Sequence, residues 1–277
     1  MRNLNQDNIT DAVRQSFAGT PDARLKEIMD ALVRHLHAFA RDVKLTEIEW
    51  SQGIAFLTGV GHITNDVRQE FILFSDVLGL SMLTVAMNND KPKGCTEATV
   101  FGPFHTDNAP HYALGGDVAN GAKGIPCKVT GTVKNLDGTG IAGAHIEVWQ
   151  SDDEGLYDVQ RGDLTHAQGR GILNADTNGA FHFQSILAAP YPIPHDGPVG
   201  AMLSATGRHP WRPAHLHFMI KAPGFETLIT HIFRDGDPYL DSDAVFGVRE
   251  TLIKDWTPQA DGSYCLDCDF VLADKRT

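Results

Sequence analysis

Apolar positions along the chain change their spacing once, between about residues 90 and 127. Before that point they recur at helical intervals. Leu25, Ile28, Met29, Leu32, Leu36, Phe39 and Val43 form one stripe, with Thr20-Pro21 supplying a capping hydroxyl and a first-turn proline at its start. Thr46-Glu47-Ile48-Glu49 has the form of a capping box and predicts a second helix, with Trp50, Ile54 and Leu57 on one side. A third helix is expected from about Asp66 to Met87, carrying Val67, Phe71, Phe74 and Leu78 and stopping before Lys91-Pro92-Lys93-Gly94.

From Cys127 onward the spacing is two. Val129, Gly131 and Val133 precede an Asp137-Gly138 turn, and Ala144, Ile146 and Val148 follow it. Phe181 and Phe183 alternate in the next strand, and Pro223-Gly224 turns the strand through Leu216 back into Leu228-Ile229-Thr230-His231-Ile232-Phe233. A late helix is expected from Ser242 to Trp256. Short strands at this spacing suggest an antiparallel β-sandwich rather than βαβ units. The expected chain is therefore mainly β: a helical region over residues 1–98 and a sandwich over residues 99–277.

Composition narrows the function classes. A chain of 277 residues can bury a substantial core, and its net charge of −12 argues against nucleic acid or an anionic membrane as the main partner. No run approaches the ~20 apolar residues of a membrane span, and Met1-Arg2-Asn3-Leu4-Asn5-Gln6-Asp7 lacks a signal-peptide core. A cytoplasmic location is the expectation. Cys95, Cys127, Cys265 and Cys268 are too few and scattered for a disulfide framework, and Cys265-Leu266-Asp267-Cys268 falls among expected C-terminal strands, so reduced thiols are expected.

Candidate chemistry concentrates in Trp211-Arg212-Pro213-Ala214-His215-Leu216-His217-Phe218-Met219-Ile220. On a strand, His215, His217 and Met219 share one face while Leu216, Phe218 and Ile220 pack on the other. Two imidazoles on adjacent same-face positions can reach one metal ion, or serve as hydrogen-bonded core residues. By contrast, His35 and His37 have the same spacing on a helical pattern, where they diverge. Two tyrosines offer further donors. Tyr157 follows the strand of Val148-Trp149 at the start of an irregular loop, and Tyr191 sits between Pro190 and Pro192, which fix the backbone. A tyrosine so placed is either an aimed ligand or a packing cap on a sheet edge.

Taken in order, Thr99-Val100-Phe101-Gly102-Pro103-Phe104, Val148-Trp149-Gln150 with Gly155-Leu156-Tyr157-Asp158, Tyr191-Pro192-Ile193-Pro194 with Asp196-Gly197-Pro198-Val199-Gly200, and Arg212-Pro213-Ala214-His215-Leu216-His217-Phe218 closely resemble the intradiol aromatic-ring-cleaving dioxygenases. That resemblance implies one non-haem Fe(III) per subunit held by Tyr157, Tyr191, His215 and His217. Tyr191 would be the axial ligand that leaves and acts as base, His217 the other axial ligand, and Tyr157 and His215 equatorial. It further implies charge stabilisation by Arg212, a homodimer built through the N-terminal helices, a small aromatic diol and O2 as substrates, and iron lying between the sheets of the sandwich. The donor set suits a hard ferric ion, since two phenolates offset its charge, whereas Fe(II) oxygenases use two histidines and a carboxylate.

By the same resemblance Leu73, Asp76, Val100, Phe101, Gly102, Pro103, Phe104, Ile193, Pro194, His231 and Val245 line the substrate pocket. Asp76 and His231 point to hydroxyquinol (1,2,4-trihydroxybenzene), cleaved to 3-hydroxy-cis,cis-muconate or maleylacetate, because a buried acceptor rewards a third ring hydroxyl. Asp76 is otherwise an exposed helix charge, and Arg212 a surface salt bridge. Catechol or a chlorocatechol is the alternative substrate. A zinc hydrolase or a non-catalytic binding sandwich is the alternative class.

Overall fold

The computed structural model describes residues 2–66 and 68–275. Its contact pattern divides the chain into two compact units, with the boundary between Gly59 and Val60. The first contains α1 (Ile9–Ser16), α2 (Ala23–Asp42) and most of α3 (Glu47–Ile63). Asp22, rather than Thr20, caps α2, its carboxylate accepting the Leu25 amide at 2.9 Å. The capping box of α3 forms: the Thr46 amide donates to Glu49 at 2.9 Å and the Glu49 amide to Thr46 Oγ1 at 3.3 Å. An Arg14–Asp30 ion pair at 2.7 Å ties α1 to α2. The apolar stripe of α2 stays uncovered, with Leu25, Ile28, Leu32, Leu36 and Phe39 all exposed.

The second unit opens with two helices where one was expected, α4 (Glu70–Val77) and α5 (Leu80–Asn88), bent by 77°. Gly79 sits between them at φ +73, a left-handed conformation that ends a helix and that side chains disfavour. Val67 lies outside the described residues. No single described helix is long and apolar enough to cross a membrane.

Two five-stranded sheets follow. The first contains β1 (Pro126–Lys134), β4 (Ala180–Ile186), β10 (Trp256–Pro258), β11 (Tyr264–Asp267) and β12 (Phe270–Val271). The second runs in the order β3 (Arg170–Asn174), β2 (His145–Trp149), β7 (His215–Lys221), β8 (Leu228–Arg234), β9 (Ile253–Lys254). A short pair, β5 (Tyr191–Pro192) and β6 (Trp211–Arg212), stands apart, and α6 (Pro198–Ala205) lies between them in sequence. The Asp137-Gly138 turn closes, with the Gly138 amide donating to Asn135 at 3.0 Å, but it carries the chain from one sheet to the other rather than pairing β1 with β2.

The sheets are mixed, which corrects the expectation of an antiparallel sandwich. β1 runs parallel to β11 and β12, and β8 runs parallel to β9. Each parallel pair joins strands distant in sequence, where the connection is long enough to return the chain to the same end. The late helix is also absent. Its start is captured by Asp243, whose carboxylate accepts the amides of Val245 (3.3 Å) and Gly247 (2.9 Å), and Phe246 takes φ +60. Local side-chain bonds of this kind compete with a helix ladder. A 3-10 turn at Glu250–Leu252 and the strands β9 and β10 occupy the segment instead.

One apolar core lies between the sheets. Val129, Phe181, Phe183, Leu266 and Phe270 face Ile146, Val148, Leu216, Phe218, Ile220 and Ile232. Phe218 is wholly buried, 4.6 Å from Phe270 and 6.2 Å from Phe181 between ring centroids. Phe218→Ala should therefore lower unfolding free energy by about 3 to 5 kcal/mol in chemical denaturation, from lost burial plus an unfilled cavity. A loss below about 1 kcal/mol would mean that the two sheets do not meet through this ring.

Candidate metal centre

His215 and His217 lie on the face of β7 turned away from this core. Leu216, Phe218 and Ile220 occupy the inter-sheet side, so alternation sends the two imidazoles to the outer face of the second sheet. This corrects the expectation of a site between the sheets. Both histidines are nonetheless buried, because the chain segments around Gly102, Tyr157 and Tyr191 cover that face. The Thr99 amide hangs the preceding loop on the Ile229 carbonyl at 3.1 Å. Gly102, at φ +76, lets that loop run so close that a Cβ there would stand 3.2 Å from His217 Cε1.

Four donors converge. Tyr157 Oη lies 2.9 Å from His217 Nε2, which lies 3.2 Å from His215 Nε2, and the Tyr157 and Tyr191 phenols hydrogen-bond to each other. Metal bonds of about 2.1 Å at right angles place neighbouring donors about 3 Å apart, so the spacing fits a coordination shell. His215 Nδ1–H donates to the Pro213 carbonyl at 2.7 Å, which leaves the Nε2 lone pair turned to the cluster. Trp149 stacks on His217 at 4.7 Å and Phe104 on Tyr157 at 4.3 Å. Tyr191 is set by β5, whose partner residue in β6 is Arg212.

Burial governs the charges. It pushes His215 down to about 3, helped by the Arg212 guanidinium, and holds His217 and His231 well below the ordinary imidazole range. Burial and the neighbouring Tyr191 raise the Tyr157 phenol. The two imidazoles are thus neutral donors, and the Tyr157 phenol ionises only against a strong positive charge.

Arg212 is buried, not superficial. Burial opposes its charge, but Asp243 overrides this and keeps it protonated, accepting from Nε at 3.0 Å and Nη2 at 3.3 Å. Its Nη1 donates toward His215 Nε2 (3.2 Å) and Tyr191 Oη (3.5 Å), and its Nη2 toward His231 Nδ1 (3.5 Å). His231 stands opposite His217 in the β7–β8 register, as the Pro223-Gly224 turn predicts. The nitrogens of His215, His217 and His231 lie within 4.8 Å of one another, which admits a three-histidine zinc site. Three imidazoles alone, however, would leave the two phenols that meet in the same cluster without a role.

The expected pocket residues separate into groups. Phe104, Ile193 and Pro194 line a cleft of about 520 Å³, together with Leu156 and Pro192. Leu73, Asp76, Val100 and Val245 are buried and do not line it. Asp76 hydrogen-bonds Ser81 and feels the charges of Arg212 and Asp243, with burial raising its carboxyl above the usual range. Phe101 is exposed and packs near His105 and Trp149, and Pro103 is exposed as well. Sequence reasoning gave no role to Asp243, Trp149 or Arg170. Asp243 lies far along the chain from Arg212, while Trp149 was legible as an aromatic on the face of β2 opposite Ile146 and Val148.

The chain matches the family model described as Dioxygenase over residues 100–274 and that described as Catechol dioxygenase N terminus over residues 22–96. The chain belongs to the intradiol ring-cleavage dioxygenases. It is 66% identical over 272 residues to the 6-chlorohydroxyquinol 1,2-dioxygenase of Cupriavidus pinatubonensis, covering 98% of this chain and 99% of that one. It is 55% identical to the hydroxyquinol 1,2-dioxygenase of Nocardioides simplex, covering 93% of this chain and 88% of that one. The crystal structure of hydroxyquinol 1,2-dioxygenase from Pseudomonas putida superposes with a TM-score of 0.92 at 44% identity, covering 98% of this chain and 99% of that one.

The buried histidines make the stability of the metal-free dioxygenase pH-dependent. Below about pH 6.5 the unfolded chain binds protons that the folded imidazoles refuse, so the free energy of unfolding, and with it stability, falls as pH falls. The loss for His215 should run from about 6.5 down to about 3, at up to about 1.4 kcal/mol per pH unit. Denaturation midpoints of the metal-free protein should fall between pH 7 and pH 5, and His215→Asn should shallow the slope. An unaltered slope in that variant would mean the imidazole is protonated in the folded state.

Proposed function

We propose that this dioxygenase cleaves hydroxyquinol between its vicinal hydroxyls, using one Fe(III) per subunit held by Tyr157, Tyr191, His215 and His217. The observation that carries the reading is the buried meeting of the Tyr157 oxygen and the His217 and His215 nitrogens at about 3 Å spacing, with the Tyr191 phenol hydrogen-bonded to Tyr157 and all beside a protonated arginine. Held by these four residues, a ferric ion would supply electron withdrawal that makes the ring of a bound diol reactive toward O2.

The chain's own groups then have distinct work. Tyr191, as the tyrosinate it would be when holding the metal, would take a proton from the entering diol at Oη, 3.5 Å from Arg212 Nη1, becoming a neutral phenol, and the guanidinium would favour the negative charge left on the diol oxygen. Asp243 prevents Arg212 from swinging away. Phe104, Ile193 and Pro194 hold the flat ring and exclude water. Asp76 accepts the third hydroxyl, and this contact separates hydroxyquinol from catechol and chlorocatechols. His231 packs edge-on to His217 at 4.1 Å and fixes its ring.

The apolar stripe of α2 supports a homodimer through the N-terminal helices, since a helix with so many exposed large side chains calls for a covering surface. Four free cysteines support a reducing compartment, taken here as the cytoplasm. We take residues 1–98 as the helical, dimer-forming region and residues 99–277 as the catalytic one.

Tyr157→Phe or His215→Ala should lower iron content and bleach the visible colour, because each removes a donor that no neighbour replaces; full colour in either variant would overturn the ligand assignment. Arg212→Leu should keep iron yet lose most turnover, read as kcat with iron content measured in parallel. Asp76→Val should lower the kcat/KM of hydroxyquinol relative to catechol by roughly five- to a hundredfold, the equivalent of one hydrogen bond of about 1 to 3 kcal/mol. An unchanged ratio at normal iron content would move selectivity to Val100, Ile193, Val245 or His231.

A further inference from the structure

One rung of the second sheet joins four side chains that bear on the metal centre. In register, Arg170 of β3 faces Trp149 of β2, Trp149 faces His217 of β7, and His217 faces His231 of β8. Trp149 stacks on His217, so the inner members of the rung are explained by the centre itself. Arg170 is the outer member, and its side chain is only 3% exposed. A buried guanidinium needs several partners to offset its lost hydration. It has four acceptors on two separate loops.

The first loop is that of Tyr157. Arg170 Nε lies 2.9 Å from Asp158 Oδ1 and 2.8 Å from Oδ2, and Nη2 makes a further short contact to the same carboxylate. The second loop is that of Phe104. Arg170 Nη1 donates to the Phe104 carbonyl at 2.9 Å and to Thr106 Oγ1 at 3.2 Å. The two loops meet again at the far end of the grip, where the Phe104 ring stacks on the Tyr157 ring at 4.3 Å and an interplanar angle of 21°.

His215 and His217 are aimed by a ladder of strand hydrogen bonds on both sides of β7. Tyr157 has no ladder. It lies between β2 and β3, just before the 3-10 turn Asp158–Gln160, and its amide is held by Gln160 Oε1 at 2.9 Å. On one side Leu156 is bound to Asp152 just past β2, and on the other the neighbouring Asp158 is gripped by Arg170 on β3.

We propose that Arg170 is a positioning residue: through Asp158 and the Phe104 carbonyl it sets the angle of the Tyr157 phenol and of the ring stacked on it, and so tunes the bond between that phenol and the metal. The proposal rests on Tyr157 being a ligand. Arg170 hydrogen-bonds none of the four donors. Its grip reaches the Tyr157 oxygen through two loops.

The test uses the iron-loaded full chain with Arg170→Lys, which keeps a cation but loses the fork, and Asp158→Asn, which keeps the shape but weakens the grip. Iron content, the position of the visible tyrosinate band and kcat per iron are measured on each. Both variants should retain iron, move the band in the same direction and lower kcat per iron roughly ten- to a hundredfold, the range in which small misplacements act. The double variant should do no more than the worse single one, since both break one connection. A residue that merely stabilised the fold would lower the thermal midpoint and leave the band and the turnover per iron where they were; that result overturns the proposal. Should Arg170→Lys fail to fold, an unmoved band in Asp158→Asn overturns it alone. Failure of the ligand reading itself is told apart by Tyr157→Phe, whose unchanged band would remove the premise.

Discussion

The burial of both faces of β7 is the constraint on which the remaining structure depends. A strand in a sandwich sheet ordinarily packs one face on the core and turns the other to water. Here Leu216, Phe218 and Ile220 fill the inter-sheet core while His215 and His217, on the opposite face, are equally hidden. That second burial has to be built. The loop through Gly102 and Phe104, the loop of Tyr157 and the β5–β6 pair supply it, and they also bring in the two phenols and the guanidinium. Covering a polar face and assembling a reactive centre are one structural act in this chain.

The cost of the arrangement is electrostatic, and it explains the order of the charged groups. Neutral imidazoles and phenols are tolerable in a dry site, whereas a lone guanidinium is not. Asp243 neutralises Arg212 locally, itself held by two backbone amides, so that the positive charge is fixed in place and screened from escape. Arg170 and Asp158 repeat the device about the Tyr157 loop. The two buried pairs flank the donor cluster, and each pins a segment that would otherwise be irregular chain. Burial raises the Tyr157 phenol, so a cation held in this pocket would supply the charge against which it ionises.

The sequence carried the centre more clearly than the frame around it. The His-x-His pair was legible because period two and a flanking apolar set leave one arrangement of faces, and Tyr191 because prolines on both sides remove its freedom. Tyr157 was legible through its motif rather than its spacing. The frame was harder because it rests on distant pairings. Strands β11 and β12 are short, and nothing local tells them to run parallel to β1. The segment after Ser242 has helical spacing, yet one carboxylate binding two nearby amides is enough to override it. Gly79 marked the break between α4 and α5 in plain view, but a glycine inside an apolar helical pattern is often tolerated. Asp243 and Arg170 are charged residues whose partners lie 31 and 12 positions away, and no local pattern announces such pairs.

The most direct measurement is metal analysis of the purified protein beside its visible spectrum before and after anaerobic reduction. A ferric ion held by two tyrosinates gives about one iron per chain and a broad visible absorption that reduction bleaches and re-oxidation restores. A colourless protein carrying zinc, or an iron protein with no visible band to bleach, would contradict it.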